Sequence, residues 1–253
     1  MAELSLDEKV EIEGIAELFT KNLLDKTRLN TIKDPFMKIQ QLNQAIENLI
    51  LIRFPSKHDK LSGFSYKVDK YKCVYINSGH SLGRQYCSFW HEIYHVIDDS
   101  SEIDINYEEE DNLGEERAKY FSYCVLLPKK DVINYVIRLS KNPTSLSIEE
   151  IIKMQFYFRT SLDALVFRLV DIYKSKYFFK FREYSRISKA EEYQNIVKGL
   201  GFGTDLIVPT NDYIVPKEFF KDIHDNLYNK RISFEKAQEL LEIIEEKGIE
   251  GLW

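Results

Sequence analysis

Three residues whose types and spacing could carry chemistry sit in "CSFWHEIYHVIDDS", residues 87 to 100: His91, Glu92 and His95, in the order H-E-x-x-H. On an α-helix, residues four apart share a face, so His91 and His95 can offer imidazole nitrogens to a single ion. Glu92 then lies beside that ion without being its natural ligand, placed to take a proton from a water there. A zinc ion on neutral imidazoles lowers the pKa of water to about 7 and polarises a carbonyl oxygen, the core of peptide-bond hydrolysis. The plainer reading is a coincidence on a helix, with both histidines as ordinary solvent or core residues among aromatic neighbours.

A catalytic zinc site normally has three protein ligands and one open position. His58, His80 and His224 do not have the spacing of H-E-x-x-H-x-x-G-x-x-H, because Ser101 occupies the position six after His95. A carboxylate from another helix is therefore expected. Asp98, Asp99, Glu102, Asp104 and Glu108 to Asp111 lie in an acidic, weakly periodic run that reads as a solvated loop. Glu115 is the first choice. It begins a second helix on which Ala118 and Ser122, at i+3 and i+7, form a small-residue stripe that permits close approach to a neighbouring helix. Glu116 points about 100 degrees away around the helix and is the second choice.

Periodicity supplies the elements that must position these residues. Residues 8 to 25 repeat Val10, Ile12, Ile15, Leu18, Phe19 and Leu23 at helical spacing, and 35 to 50 do so again after Asp34-Pro35. Leu49 to Phe54, Gly63 to Val68 and Tyr71 to Asn77 read as strands of a small antiparallel sheet, with Asp69-Lys70 as a turn. Ser81 can cap a helix carrying Phe89, Trp90, Ile93, Val96 and Ile97 at helical intervals, so the motif lies on a helix. The second helix runs from about Leu113 to Leu127 and stops at Pro128. A capping box, Ser147 to Glu150, opens a segment that breaks near residues 157 to 160 into two helical halves with a helix-turn-helix outline. After the glycine-rich stretch 199 to 216, residues 217 to 247 resume as two helices, the second capped by Ser233 and closed by Gly248.

These residues resemble the ImmA/IrrE family of zinc metallopeptidases. The likeness is an ordered series: a strand pair ending "YKCVYINSG", the motif helix "RQYCSFWHEIYHVI", an acidic gap, and "EERAKYFSYCVLLP", which is similar to the family's ligand helix through Glu115, Ala118, Phe121, Leu126, Leu127 and Pro128. It covers about residues 35 to 173. The chain departs from the family's usual residues at Ile93-Tyr94 inside the motif, at Lys119 and at Ser122, and none of these removes a ligand. Tyr94 puts bulk where the family usually has none, which would narrow the cleft or alter helix packing. The resemblance implies that Glu115 is the third zinc ligand and Glu92 the catalytic base. It also implies a mostly helical, α+β zincin-like catalytic domain with a small antiparallel sheet. The expected organisation is a metallopeptidase domain at 1–140, a helix-turn-helix-like region at 141–198 and a helical extension at 199–253.

The function implied is regulatory proteolysis by a zinc endopeptidase, the substrate being a protein such as a transcriptional repressor; manganese or another divalent ion suits the same ligands. The alternative is a binding module that keeps the zinc-site fold and docks a repressor or toxin without cutting it. A net charge of -6 argues against the usual basic nucleic-acid surface. The second half of the helix-turn-helix outline, "SLDALVFRLVDIY", has a single basic residue, Arg168, and reads as a packing or docking element. The basic and aromatic run "YKSKYFFKFREYSR" is taken as structural, with Phe179 and Phe181 inward. "GLGFG" lacks the context of a phosphate loop. Cys73, Cys87 and Cys124 read as free thiols. With neither a signal peptide nor a membrane span in the sequence, the cytoplasm is the expected compartment.

Overall fold

The computed structural model describes residues 4–27, 34–36, 42, 45–56, 58, 60–98, 112–139 and 142–238. Its strands are β1 (Leu49–Phe54), β2 (Gly63–Val68) and β3 (Tyr71–Asn77), as the sequence predicts. Burial decides their order. β3 buries Val74, Tyr75, Ile76 and Asn77 in succession, as a strand covered on both faces does, while β2 alternates half-buried and exposed positions like an edge strand. The sheet is accordingly ordered β1-β3-β2. β2 and β3 form an antiparallel hairpin, Gly63 opposite Ile76 and Val68 opposite Tyr71, with Asp69 in the turn at φ 50°. β1 runs parallel to β3, Leu49 opposite Lys72. This corrects the expectation of a purely antiparallel sheet: a simple meander would centre β2, and the doubly buried β3 takes that place instead.

Helix α1 (Leu6–Thr27) starts at a capping box in which the Ser5 N–H donates to Glu8 and the Glu8 N–H to Ser5 Oγ. Its buried face is Ile12, Ala16 and Leu23, with Ile15 and Phe19 alongside; Val10 and Leu18 are exposed, since both fall well off the stripe that 12, 16, 19 and 23 define. Helix α2 (Leu82–Ile97) carries the H-E-x-x-H motif, and α3 (Asn112–Leu126) ends just before Pro128. Ser81 is the N-cap of α2 in position, though its side chain makes no capping bond. Then follow α4 (Lys129–Arg138), α5 (Ile148–Phe158) and α6 (Leu162–Tyr173). The capping box of Ser147 and Glu150 forms, and Arg159 turns the chain between α5 and α6 at φ 52°. The expected helix at 35 to 50, the acidic loop and the end of the last helix lie largely outside the described residues.

Residues Lys176–Ser185 form a 3-10 helix, followed by α7 (Ala190–Gly199) and α8 (Lys217–Tyr228). Phe178 and Phe181 are the aromatic side chains it buries, three apart as a three-residue turn requires, so Phe178 replaces Phe179 as the inward residue. The C-terminal part returns to the sheet. Arg53 and Ile214 exchange backbone hydrogen bonds on the free side of β1, while the N–H groups of Leu82 and Gly83 donate to the carbonyls of Val208 and Leu206. Beneath this strap Arg53 donates to Gln85 and Asp212, and Gln85 to the carbonyls of Ser78 and His80. One buried apolar cluster extends from Leu4 to Leu206. The architecture is the mostly helical α+β fold that the sequence predicts, and no described helix is long and apolar enough to cross a membrane.

Candidate metal centre

Helix α2 is fixed along most of its length. Tyr86, Phe89, Trp90, Ile93 and Val96 are buried, β2 and β3 pack against the helix, and Gly83 lies so close to the turn between α5 and α6 that a Cβ would come within 2.6 Å of the Thr160 carbonyl oxygen. The remaining face holds Cys87, His91 and His95, one helical turn apart and half-buried. Helix α3 approaches with Ala118 and Ser122 buried to 0% and 1%, as the small-residue stripe predicts. This brings Glu115 to the two imidazoles.

His91 Nε2 and His95 Nε2 are 3.3 Å apart, His91 Nε2 is 3.1 Å from Glu115 Oε2, and His95 Nε2 is 3.2 Å from Glu115 Oε1. Ligand bonds of about 2.0–2.1 Å in a tetrahedron place donor atoms roughly 3.3 Å from each other, so the two imidazoles have the spacing of ligands to one ion, and Glu115 meets each of them through a different carboxylate oxygen. Their chemistry fits as well: two imidazoles and a carboxylate, each able to give a ligand atom, meet at one point, and among the described residues no lysine or arginine is paired with them. Hydrogen bonds from His91 and His95 hold the Glu115 carboxyl well below the usual carboxylate range. Burial would lower His95, but Glu115 and the charges of Glu92 and Asp98 outweigh it and raise the imidazole. Both shifts express a demand for positive charge where the donors meet, which a divalent ion satisfies.

Glu92 sits beside this cluster at 7% exposure. Burial raises its pKa, against the pull of His91, His95 and a hydrogen bond from Ser65. Two residues that sequence reasoning missed shape this place. Ser65 is one; the other is Gly63, where a Cβ would meet the Tyr75 carbonyl at 2.7 Å and Glu92 Cγ at 3.4 Å. A glycine opening a strand is the signal that could have found it.

Glu116, the second choice, turns aside to Lys119, whose Nζ stands 3.2 Å from Glu116 Oε2. Tyr94 takes the packing alternative. It is buried, its ring lies 5.3 Å from that of Phe121, and its hydroxyl accepts a 3.0 Å bond from Nε of Arg117, whose Nη2 reaches Glu11 of α1. Tyr94 is absent from the lining of the cleft at the centre. That cleft, of 1280 Å³, runs from β2 past His91, His95 and Glu115 to Phe167, Arg186 and Tyr193.

A peptidase family model described as the IrrE N-terminal-like domain matches residues 47–170. The matched span takes in the sheet, both helices that bring the three donors together, α4, α5 and most of α6. No curated protein matches the chain.

Proposed function

From the membership of this chain, through residues 47–170, in the IrrE N-terminal-like peptidase family, we propose that it is a zinc-dependent endopeptidase that cuts a partner regulatory protein, such as a helix-turn-helix repressor. The observation that carries the reading is the convergence of His91, His95 and Glu115 at 3.1 to 3.3 Å beside a buried Glu92. The first three would hold the ion. Once bound, zinc supplies a water acidified to a pKa of about 7 and a polarised substrate carbonyl.

Glu92 is then the proton carrier. Its carboxylate takes a proton from the attacking water as the new carbon–oxygen bond forms, and returns it to the amide nitrogen as the carbon–nitrogen bond breaks. Burial favours its protonated form, while His91, His95 and the Ser65 hydroxyl favour the carboxylate. β2 is the edge of the three-stranded sheet and lines the cleft, so an extended segment can add antiparallel to it through main-chain hydrogen bonds. Such pairing holds a peptide of any sequence, which leaves selectivity to the side chains of the cleft. The setting is a reducing compartment such as the cytoplasm, suited to three free cysteines.

The test is metal content together with cleavage of the product of the neighbouring gene. Stoichiometric zinc and a cut made by wild type but not by Glu92→Gln is the expected result. Zinc bound without any cleavage turns the reading to a docking module. No divalent metal, with His91→Ala indistinguishable from wild type, overturns both.

A further inference from the structure

Arg84 lies in the first turn of α2, seven residues before His91. Seven residues are almost two full turns, so the two side chains share a face roughly 10 Å apart along the axis. Both line the same cleft. The guanidinium Nη2 donates to Ser62 Oγ at 2.7 Å, which holds the group at the start of β2. Among the described residues it makes no ion pair. The carboxylate whose charge acts on it is Asp163, and that group is bound to Arg182 Nε at 3.0 Å. Arg84 is exposed at the cleft wall, and the protein around its guanidinium draws its basicity below the ordinary value. A guanidinium held in place at the cleft wall by one hydrogen bond and without a contacting counter-ion can take a carboxylate ligand in a bidentate, charge-assisted bond.

The helix end beneath does not meet that demand, because the Leu82 and Gly83 N–H groups are taken by the carbonyls of Val208 and Leu206. It adds the positive end of the helix dipole. Arg186, at the end of the 3-10 helix and past the family-matched residues, lines the same cleft, is exposed and makes no ion pair among the described residues. The cleft away from the zinc ligands is therefore short of negative charge.

We propose that Arg84 forms a subsite for a substrate carboxylate about three residues to the C-terminal side of the scissile bond. The spacing follows from roughly 10 Å along the helix and about 3.3 Å per residue of extended chain. The direction follows from antiparallel addition to β2, which lays the C-terminal half of the substrate towards Ser62. The proposal rests on the peptidase reading of the cleft. Two sources carry this chemistry, an Asp or Glu side chain and the terminal carboxylate of a chain.

The test uses zinc-loaded full-length Glu92→Gln protein, so that peptides bind without being cut. Acetylated, amidated octapeptides with one Glu moved through every position are titrated by fluorescence anisotropy against the same peptides with Gln, and against versions ending in a free carboxylate. The expected result is one Glu position, or one distance from a free end, that binds at least tenfold tighter than its neutral counterpart. Arg84→Gln removes the gain and Arg84→Glu turns it into a preference for the neutral Gln peptide, with zinc content and melting temperature unchanged. The two peptide arms tell a side chain from a chain end. Equal binding of Glu and Gln peptides of both kinds, or a preference that survives Arg84→Glu, overturns the subsite. Selective binding together with failure of the wild type to cut any peptide counts against the peptidase reading alone.

Discussion

Two clusters of charged side chains lie on neighbouring parts of this molecule, and only one of them is closed. Around Arg168 of α6, at 1% exposure, Nη1 donates to Glu13 at 2.8 Å and to the Tyr120 hydroxyl at 2.9 Å, and Nε donates to the Leu127 carbonyl at 3.1 Å. Asp171 accepts from Tyr120 at 2.7 Å and from Lys9 and Lys174 at 3.0 Å each. Every strong donor there meets an acceptor of suitable charge. At His91, His95 and Glu115 two imidazoles and a carboxylate face one another, and among the described residues no lysine or arginine is paired with them. A cluster of charges is thus no sign of function by itself; an uncompensated point of convergence is. Arg168, the single basic residue in the second half of the helix-turn-helix outline, belongs to the closed cluster, which uses it to pack α1, α3 and α6 together.

The largest effect should separate chemistry from binding within the open cluster. Glu92→Gln keeps zinc and lowers turnover of a cleavable substrate by about 1,000-fold, the worth of a positioned general base; turnover within tenfold of wild type would mean that another group carries the proton. Next comes the closed cluster. Arg168→Ala leaves Glu13 and Asp171 short of their partner and costs about 3–5 kcal/mol in denaturant unfolding, while the surviving folded protein takes up zinc as before. A variant that lost zinc but little stability would collapse the distinction between the two clusters.

A smaller effect tests which carboxylate completes the open cluster. Zinc at about a hundred times its Kd should add about 2.7 kcal/mol to stability, read as a rise in melting temperature. Glu115→Ala should remove most of that rise and Glu116→Ala should leave it, because Glu116 is held by Lys119. The opposite pattern would exchange the two residues.

Much of this was legible in the sequence because it is local. The three strands, the motif helix, the stop at Pro128 and the capping box of Ser147 and Glu150 are read from spacing and from turn chemistry within a few residues. The stripe of Ala118 and Ser122 singled out Glu115 because small side chains govern how closely helices pack. The parallel pairing of β1 with β3 was not legible, since strand direction is set by which strand is buried on both faces rather than by any one segment. Nor was the strap over β1. Its trace was present in Arg53, which stands at the inward place of a period-two pattern begun by Leu49 and Leu51, where a charge demands buried partners. Those partners, Gln85 and Asp212, are 32 and 159 positions away. In the 3-10 helix, alternation misled: a period of three selects Phe178 and Phe181.

Acid should take the two clusters apart in sequence, and this is the smallest effect expected. Burial alone would raise the Asp171 carboxyl, but hydrogen bonds from Tyr120, Lys9 and Lys174 outweigh it and bring the group from 3.8 to about 2. A folded-state pKa below the unfolded one means stability that is fully present above pH 3.8 and lost as the pH falls through 2, about 2 kcal/mol in all. Asp171→Asn should flatten this window. The zinc-dependent increment fails earlier, because protons compete with the ion for the imidazole nitrogens, and the bond to Glu115 and nearby carboxylates raise His95 when zinc is absent, against burial. Unfolding followed from pH 8 to pH 2, with and without zinc, should show the two curves merging around pH 5 to 6 and a shared decline only below pH 4. A zinc increment that outlasted protonation of the imidazoles would place the ion on carboxylates alone, and a wild-type decline matched by Asp171→Asn would move the acid sensitivity out of the closed cluster.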